Sequence, residues 1–257
     1  MNEPLVEVRD VSLIYHALHG ETKAIDGLSF DVNPGEFVSI VGPSGCGKTS
    51  LLSLMAGIMK PSSGTIRINA ADTVDQRSLT GYMLQNDNLL DWRTIEGNIM
   101  LGLEVKGMKN EQTREFALGL LEKHGLMDFR GHYPSQLSGG MRQKVALIRV
   151  LAFSPELLLL DEPFSALDFQ TRLKVSDEVR GIIRSEKKTA ILVTHDLSEA
   201  IAMSDRVLVF TKRPTRVKSE YSIELSGDDS PINRRNAPEF KDYFTDIWKE
   251  LDDEEQA

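Results

Sequence analysis

The sequence contains one cysteine, few aromatic residues and no long apolar run. Cys46 is the only cysteine among 257 residues, so the chain cannot form an internal disulfide, and aromatic residues make up 7%. The longest purely aliphatic run, Leu157 to Leu160, is far shorter than the roughly 20 apolar residues that cross a bilayer. The chain does not open with a basic start, an apolar stretch and a small-residue cleavage site, and we therefore expect a cytosolic location.

The charge balance is acidic. Lys and Arg total 30 and Asp and Glu total 39, which gives a net charge of −9. An excess of carboxylates disfavours binding to a phosphate backbone, so we expect no nucleic-acid partner. Hydrophobic residues at 40% and charged residues at 27% are ordinary values for a globular protein. The chain length suits one large domain, or a core that carries an inserted subdomain.

Apolar patterning predicts strands that alternate with helices, which is typical of α/β layers. Short continuous apolar runs indicate fully buried strands, and apolar residues three and four apart indicate helices. The predicted strands are 5–15, 30–32 and 37–41 on either side of the turn at 33–35, 65–68, 81–84, 157–161, 190–194 and 207–210. The predicted helices are 48–58, 98–105, 112–124, 141–151, 169–185, 197–203 and 239–251.

These elements divide the single domain, residues 1–257, into three parts. Residues 1–86 and 152–212 form the predicted core, and the helical stretch 87–151 interrupts it. Residues 213–257 are a polar C-terminal extension that ends in the acidic run 252–255. We expect that run to be a solvated or frayed terminus, with a regulatory segment as the alternative.

A glycine-rich loop between a strand and a helix predicts phosphate binding. Residues 42–49 fit the pattern Gly-x-x-x-x-Gly-Lys-Ser/Thr. Glycines let successive backbone N–H groups turn toward phosphate oxygens, and the following helix adds a partial positive charge at its N-terminus. Lys48 is expected to reach the β- and γ-phosphates of ATP, and the Thr49 hydroxyl to bind Mg²⁺. The predicted loop residues are Gly42, Pro43, Ser44, Gly45, Cys46, Gly47, Lys48, Thr49 and the following Ser50.

Two carboxylates follow the most apolar strand. Asp161 comes directly after Leu157 to Leu160, and Glu162 follows it. In this position Asp161 can hold Mg²⁺, and Glu162 can polarise the water that attacks the γ-phosphate. An apolar strand that ends in acids also occurs as an ordinary capped loop, so this pair alone leaves both interpretations open.

The stretch Leu137-Ser138-Gly139-Gly140-Met141 resembles the signature of the ATP-binding cassette (ABC) ATPases. Physically it is a Ser N-cap and two glycines before a helix, which is suited to an anion. Further motifs of that family follow in the family's order: Gln85, the stretch from Ser165 to Asp168, and His195. The resemblance covers residues 5–213 and implies a P-loop NTPase core with an antiparallel β subdomain and an inserted α-helical subdomain.

The same resemblance assigns roles to individual residues. It implies that Gln85 senses Mg²⁺ and the γ-phosphate, that His195 contacts the γ-phosphate, and that Asp168 lies at a dimer seam. Two cassettes would pair head to tail, so that Ser138, Gly139 and Gly140 of one chain close over the ATP of the other. Tyr15 would stack on adenine, with a core aromatic at the end of a strand as the less favoured alternative.

Within the family, the sequence is similar to the nitrate, sulfonate and taurine importers and to importers of cofactor precursors. The similarity lies in 85–92, 137–143 and 205–214. It implies two integral-membrane permease subunits, an extracytoplasmic solute-binding protein, and a position on the cytoplasmic face of the membrane. Trp92 could contact the permease or be a core aromatic of the helical part.

Other functions remain as alternatives. A soluble cassette ATPase of DNA repair or translation would usually carry two cassettes or long coiled arms. A small-molecule kinase would have no use for the stretch from Leu137 to Met141. A cassette without hydrolytic activity would lack Glu162, His195 or the signature, and all three are present.

Overall fold

The computed structural model describes residues 3–17, 20–72, 80–227 and 229–256. The strands are β1 Val6–Ala17, β2 Gly20–Val32, β3 Phe37–Val41, β4 Ser63–Ile68, β5 Ala71–Asp72, β6 Thr80–Met83, β7 Leu157–Asp161, β8 Thr189–Val193, β9 Arg206–Phe210 and β10 Val217–Ser222. The α-helices are α1 Lys48–Met55, α2 Ile95–Val105, α3 Glu111–Lys123, α4 Gly139–Leu151, α5 Phe169–Ser185, α6 Leu197–Met203, α7 Pro231–Arg234 and α8 Phe240–Gln256.

The larger sheet has the strand order β10-β9-β3-β8-β7-β6. Strands β6, β7, β8, β3 and β9 are parallel, and β10 joins the edge antiparallel to β9. Every residue of β3, β7 and β8 is buried, because helices cover one face of the sheet and the smaller sheet with α1 covers the other. The α/β class predicted from alternating elements is confirmed, and the bounds of β7, α5 and α6 are those predicted.

The smaller sheet is antiparallel and has the order β2-β1-β4-β5. It supplies the antiparallel β part that the family resemblance implied. Strands β1 and β2 form one long hairpin, with Val6 opposite Val32 and Tyr15 opposite Thr22. The first four residues of β2 are exposed, and this polar hairpin end gives no apolar alternation from which a strand could be predicted.

The buried residues form three clusters. One lies between helices α2 to α5 and one face of the large sheet, and the second lies between the two sheets and includes α1. The third cluster joins α6, β9 and α8 through residues that include Val207 and Ile247. Among the residues described, no helix is both long enough and apolar enough to cross a membrane.

The C-terminal extension is more ordered than the sequence suggested. Strand β10 was not predicted, because its residues alternate between half-buried and exposed and carry few large apolar side chains. Helix α8 continues through the acidic run to Gln256. The expectation of a frayed terminus is wrong for Glu254, which accepts a hydrogen bond from the Lys212 N–H at 3.0 Å and lies 3.0 Å from Lys218.

Gly81 lies where strand β6 packs against helix α4, and we predict that Gly81→Ala destabilises the fold by about 1–3 kcal/mol. A Cβ at this position would lie 2.2 Å from Cγ1 of Val150 and 2.9 Å from Cγ of Pro155. Urea unfolding of the variant measures the loss. Gly119→Ala is the matched control, since a Cβ there meets no atom within 4 Å, and alanine in helix α3 should be neutral or stabilising. Equal effects of the two substitutions would contradict the packing argument.

Candidate nucleotide-binding site

The predicted phosphate-binding loop connects β3 to α1. Val41 ends the strand and Lys48 begins the helix. Gly45 and Gly47 have φ angles of 71° and 126°, a region that residues with a Cβ rarely adopt. Gly47 is also the N-cap residue of α1 and provides no side-chain cap. The first backbone N–H groups of the helix are therefore available to an anion.

Lys48 is directed into the loop. Its ammonium group donates to the carbonyl oxygens of Gly42 at 2.7 Å and Pro43 at 2.9 Å. Only 7% of the residue is exposed. A buried ammonium group held between two carbonyls places a positive charge at the centre of the predicted phosphate site.

A cavity of about 970 Å³ opens over this loop. The predicted residues that line it are Gly42, Pro43, Ser44, Gly45, Gly47, Lys48, Thr49, Ser50, Glu162 and His195. Cys46 is the loop residue outside the lining, and its side chain is buried beneath the loop. The thiol therefore supports the shape of the loop and does not face the cavity.

Asp161 ends β7 below the loop. Its Oδ1 accepts a hydrogen bond from the Thr49 hydroxyl at 3.1 Å, and its Oδ2 accepts one from the Tyr82 hydroxyl at 3.2 Å. Burial raises the pKa of the Asp161 carboxyl and also that of the Tyr82 hydroxyl. Hydroxyl and carboxylate oxygens are the donors that Mg²⁺ prefers, and so Thr49 and Asp161 fit that ion.

Glu162 brings the other predicted catalytic residues together. Its Oε2 lies 3.0 Å from Nδ1 of His195 and accepts a hydrogen bond from the Gln85 amide at 3.4 Å. The same amide lies 3.3 Å from the Ser165 hydroxyl. The backbone of Glu162 has φ 45°, a left-handed conformation that is uncommon for a residue other than glycine. The strained turn aims the carboxylate at the cavity that Glu162 and His195 both line.

Tyr15 lies beside the far end of the loop. Its hydroxyl donates to the Ser50 hydroxyl at 2.9 Å and also contacts the Met59 sulfur. The residue is 40% exposed, which excludes the alternative of a core aromatic. Trp92 is 75% exposed, so the core interpretation is wrong for that residue as well.

The signature residues do not line this cavity. Ser138 caps α4, with its hydroxyl accepting from the Met141 N–H at 3.3 Å. A Cβ on Gly139 would lie 3.0 Å from Leu167, and one on Gly140 would lie 2.7 Å from Val175. The signature therefore packs on the segment around Asp168 and on α5, and not on the phosphate-binding loop of its own chain.

Asp168 is the N-cap residue of α5 and accepts a hydrogen bond from the Thr171 N–H at 3.1 Å. Hydrogen bonds from Thr171 lower the pKa of the Asp168 carboxyl. The carboxylate is exposed to solvent. Its position next to the signature, away from the cavity, is compatible with the predicted place at a dimer seam.

Sequence reasoning missed several residues of the cavity wall. Arg172 connects two of the predicted motifs, since it donates to the Leu167 carbonyl at 3.1 Å and to Asp196 at 3.2 Å. Arg213 donates to the Gly45 carbonyl at 3.2 Å. Residue spacing gives no signal for the contact between Arg172 and Asp196 or for the contact between Arg213 and Gly45, because each joins segments distant in sequence. The missed lining residues are Arg172, Asp196, Leu197, Ser198, Arg213, Phe244, Trp248, Leu251 and Asp252.

Glu199 is buried behind His195, and burial raises the pKa of its carboxyl from the usual 4.5 to about 7. It bonds to Thr194, and one of its oxygens, Oε1, has no hydrogen-bond partner. The nearby Asp196 raises the pKa further, whereas Arg172 and Arg235 lower it. The folded protein thus holds a proton here that the unfolded chain releases near pH 4.5.

We therefore expect the free energy of unfolding to decrease as the pH rises from about 4.5 to about 7. A raised carboxyl pKa favours folding only while the group is protonated. Above about pH 7 the carboxyl is ionised in both the folded and the unfolded protein, and burial of its charge then lowers the free energy of unfolding by the full amount. Glu199→Gln should be more stable than the wild type at pH 8 by roughly 3 kcal/mol, with the difference vanishing near pH 4. Urea titrations at several pH values measure it. A variant less stable than the wild type at pH 8 would contradict the assignment.

The fold and the site define an ATPase with a phosphate-binding loop and two carboxylates at the end of a buried strand. The family model for ABC transporter matches residues 25–165. The chain is 45% identical over 248 residues to an uncharacterized ABC transporter ATP-binding protein of Bacillus subtilis, covering 96% of this chain and 95% of the relative. The chain therefore belongs to the ABC transporter family, and it is an ATP-binding and ATP-hydrolysing subunit of that family.

Other relatives and a solved structure agree with this membership. The nitrate import ATP-binding protein of Synechocystis is 35% identical over 94% of this chain and 93% of its own length. The taurine import ATP-binding protein of Yersinia pestis is 42% identical over 79% of each chain. The dimeric ATP-binding cassette MJ0796, solved in a post-hydrolysis state with ADP and Pi, is 31% identical with a TM-score of 0.72 and covers 85% of this chain and 99% of that one.

Proposed function

We propose that this chain powers the import of a small anionic solute of the nitrate, sulfonate or taurine type. It acts on the cytoplasmic face of the membrane together with two permease subunits, which receive the solute from an extracytoplasmic binding protein. The observation that carries the proposal is the identity of 35% and 42% to proteins named for nitrate and taurine import. Import of a cofactor precursor is the alternative within the same group of transporters.

The working unit is a head-to-tail homodimer. The distance in the fold between the signature and the phosphate-binding loop supports this arrangement, because one chain alone does not bring the two to the same cavity. The similar cassette MJ0796 is described as dimeric with ADP and Pi bound. In the dimer, the signature of each chain completes the ATP site of the second chain. It supplies N–H donors at a helix N-terminus, from Ser138, Gly139 and Gly140.

The loop residues bind the triphosphate. Backbone N–H groups at the N-terminus of α1 donate to the phosphate oxygens, and Lys48 supplies the charge that neutralises the β- and γ-phosphates. Thr49, Asp161 and Gln85 would hold Mg²⁺, and that ion would neutralise charge on the phosphates. Tyr15 stacks on the adenine ring at the Ser50 end of the loop.

Glu162 is the residue that activates water. Its carboxylate accepts a proton from the water as the water oxygen bonds to the γ-phosphorus, and the bond from that phosphorus to the bridging oxygen breaks to release ADP and phosphate. His195, at 3.0 Å from the carboxylate, fixes the carboxylate and contacts the γ-phosphate. Gln85 bonds to the same carboxylate and links it to the transport partner.

Exposed apolar side chains support the proposed permease contact. Trp92 follows the Gln85 segment and is 75% exposed, and Val105 at the end of α2 is 80% exposed. Exposed aromatic residues of this kind are typical of protein interfaces. Trp92→Ala should therefore reduce coupling to a permease and leave the hydrolysis by the free chain unchanged.

Reconstitution with a permease tests the solute. The chain is purified with the permease subunits that bind it, placed in proteoliposomes with the binding protein, and assayed for ATP-dependent uptake of labelled nitrate, taurine and thiamine. Uptake of one of the anions, lost in Glu162→Gln, supports the proposal. Uptake of thiamine alone would assign the alternative, and hydrolysis that no permease stimulates would exclude a transport role.

A further inference from the structure

Helix α8 of the C-terminal extension forms one wall of the ATP cavity. Ile247 is fully buried in the cluster that joins α8 to α6 and β9. On the neighbouring side of the helix, Phe244 and Trp248 stack with ring centroids 6.1 Å apart and an interplanar angle of 11°. Both rings line the cavity together with Gly45 and His195. We call Phe244 and Trp248 the α8 edge.

The opposite side of α8 is held firmly. Glu250 accepts a hydrogen bond from the Tyr221 hydroxyl at 2.6 Å, and its carbonyl accepts one from Lys218 at 2.9 Å. Glu254 accepts from the Lys212 N–H at 3.0 Å, one residue before Arg213, which is bonded to Gly45. These contacts fix the position of the α8 edge relative to the phosphate-binding loop.

The α8 edge lies on the side of the cavity away from the predicted adenine position. Tyr15 contacts Ser50 and Met59 and is not part of the cavity lining. Phe244 packs against the cluster that contains Leu197, and both residues line the cavity. An adenine ring stacked on Tyr15 would therefore leave the α8 edge uncovered.

Trp248 is 57% exposed, whereas the neighbouring Ile247 is fully buried. Exposed tryptophan next to a binding cavity is typical of residues that dominate the energy of protein interfaces. The proposed dimer closes over this same cavity, because the signature of the second chain must enter it. The α8 edge is therefore continuous with the surface that the second chain covers.

We infer that the α8 edge belongs to the interface that closes between two copies of this chain when both hold ATP. This inference rests on the proposed head-to-tail dimer. It gives the C-terminal extension a direct part in ATP-driven closure: the aromatic pair is buried in the closed state and exposed when the two chains separate. The extension thereby contributes to the energy that ATP binding makes available for transport.

Dimerisation of a hydrolysis-deficient parent tests the inference. In Glu162→Gln with Mg²⁺ and ATP, adding Trp248→Ala should raise the dimer dissociation constant at least about tenfold in sedimentation experiments. Trp248→Phe should restore most of the dimerisation, because the ring keeps most of the apolar surface that the second chain covers. Phe116→Ala is the control, since Phe116 is an aromatic residue on α3 that is 43% exposed and lies outside the cavity lining.

An unchanged dissociation constant in Trp248→Ala would overturn the inference alone. A parent that binds ATP but stays monomeric would overturn the proposed dimer and the inference together.

Tryptophan fluorescence shows whether the second chain or the nucleotide covers Trp248. The chain has two tryptophans, so Trp92→Phe leaves Trp248 as the only reporter. ATP should shift its emission to shorter wavelength, and Ser138→Arg, which blocks the sandwich, should abolish that shift while ATP still binds. A shift that persists in Ser138→Arg would mean that Trp248 responds to the nucleotide itself, and the inference would be wrong.

Discussion

Glu162→Gln is expected to reduce ATP turnover by about 10²–10⁴-fold, the contribution typical of a positioned general base. The amide keeps the size and the hydrogen bonds of the side chain but cannot accept the proton of the attacking water. ATP affinity should be retained, because only an interaction made in the transition state is lost. Steady-state hydrolysis and equilibrium ATP binding measure the two effects separately.

Glu178→Gln is the matched control for this experiment. It is the same substitution at a carboxylate that pairs with Lys144 on the surface and is 50% exposed. Its turnover should equal that of the wild type, because an exposed ion pair contributes little. Hydrolysis by Glu162→Gln at a rate near that of the control would contradict the role of Glu162.

Lys48→Ala is expected to weaken ATP binding by about 10–100-fold, the value of one or more charge-assisted hydrogen bonds. The ammonium group is buried between the Gly42 and Pro43 carbonyls, so its loss removes the positive charge and leaves two carbonyls without their donor. Both ATP affinity and turnover should therefore fall, in contrast with Glu162→Gln. Calorimetric titration with ATP measures the loss.

Lys60→Ala provides the comparison for Lys48→Ala. Lys60 is an exposed lysine after α1, and its removal should leave ATP affinity unchanged. Thermal unfolding of Lys48→Ala without nucleotide distinguishes a lost binding group from a collapsed loop. A folded Lys48→Ala protein that binds ATP as well as Lys60→Ala does would exclude the loop assignment.

The sequence was informative where structure is set locally. The continuous apolar runs predicted β7 and β8, because a strand buried on both faces needs apolar side chains throughout. The glycines of the loop predicted its backbone, since Gly45 and Gly47 adopt positive φ. The family resemblance implied that Gln85 and His195 act at the γ-phosphate, and in the structure they lie 3.4 and 3.0 Å from the Glu162 carboxylate.

The C-terminal part of the site was beyond sequence reasoning. Strand β10 is polar on one side because it lies at the edge of the sheet, so it lacks the apolar signal of a central strand. The apolar residues of α8 predicted a helix but not which of them would be buried. Ile247 lies in the core and Trp248 lies in the cavity wall. This difference depends on how α8 lies against the loop, which the sequence does not indicate.

The central claim is that each ATP site is shared between two chains, and the concentration dependence of hydrolysis tests it most directly. ATP hydrolysis by the purified chain is measured over a range of protein concentrations, beside Ser138→Arg, in which Lys48 and Glu162 are intact. The account predicts that specific activity rises with concentration and that the variant binds ATP but does not hydrolyse it. Activity that is independent of concentration and survives in Ser138→Arg would show that the signature is only a helix cap, and the shared site would be excluded.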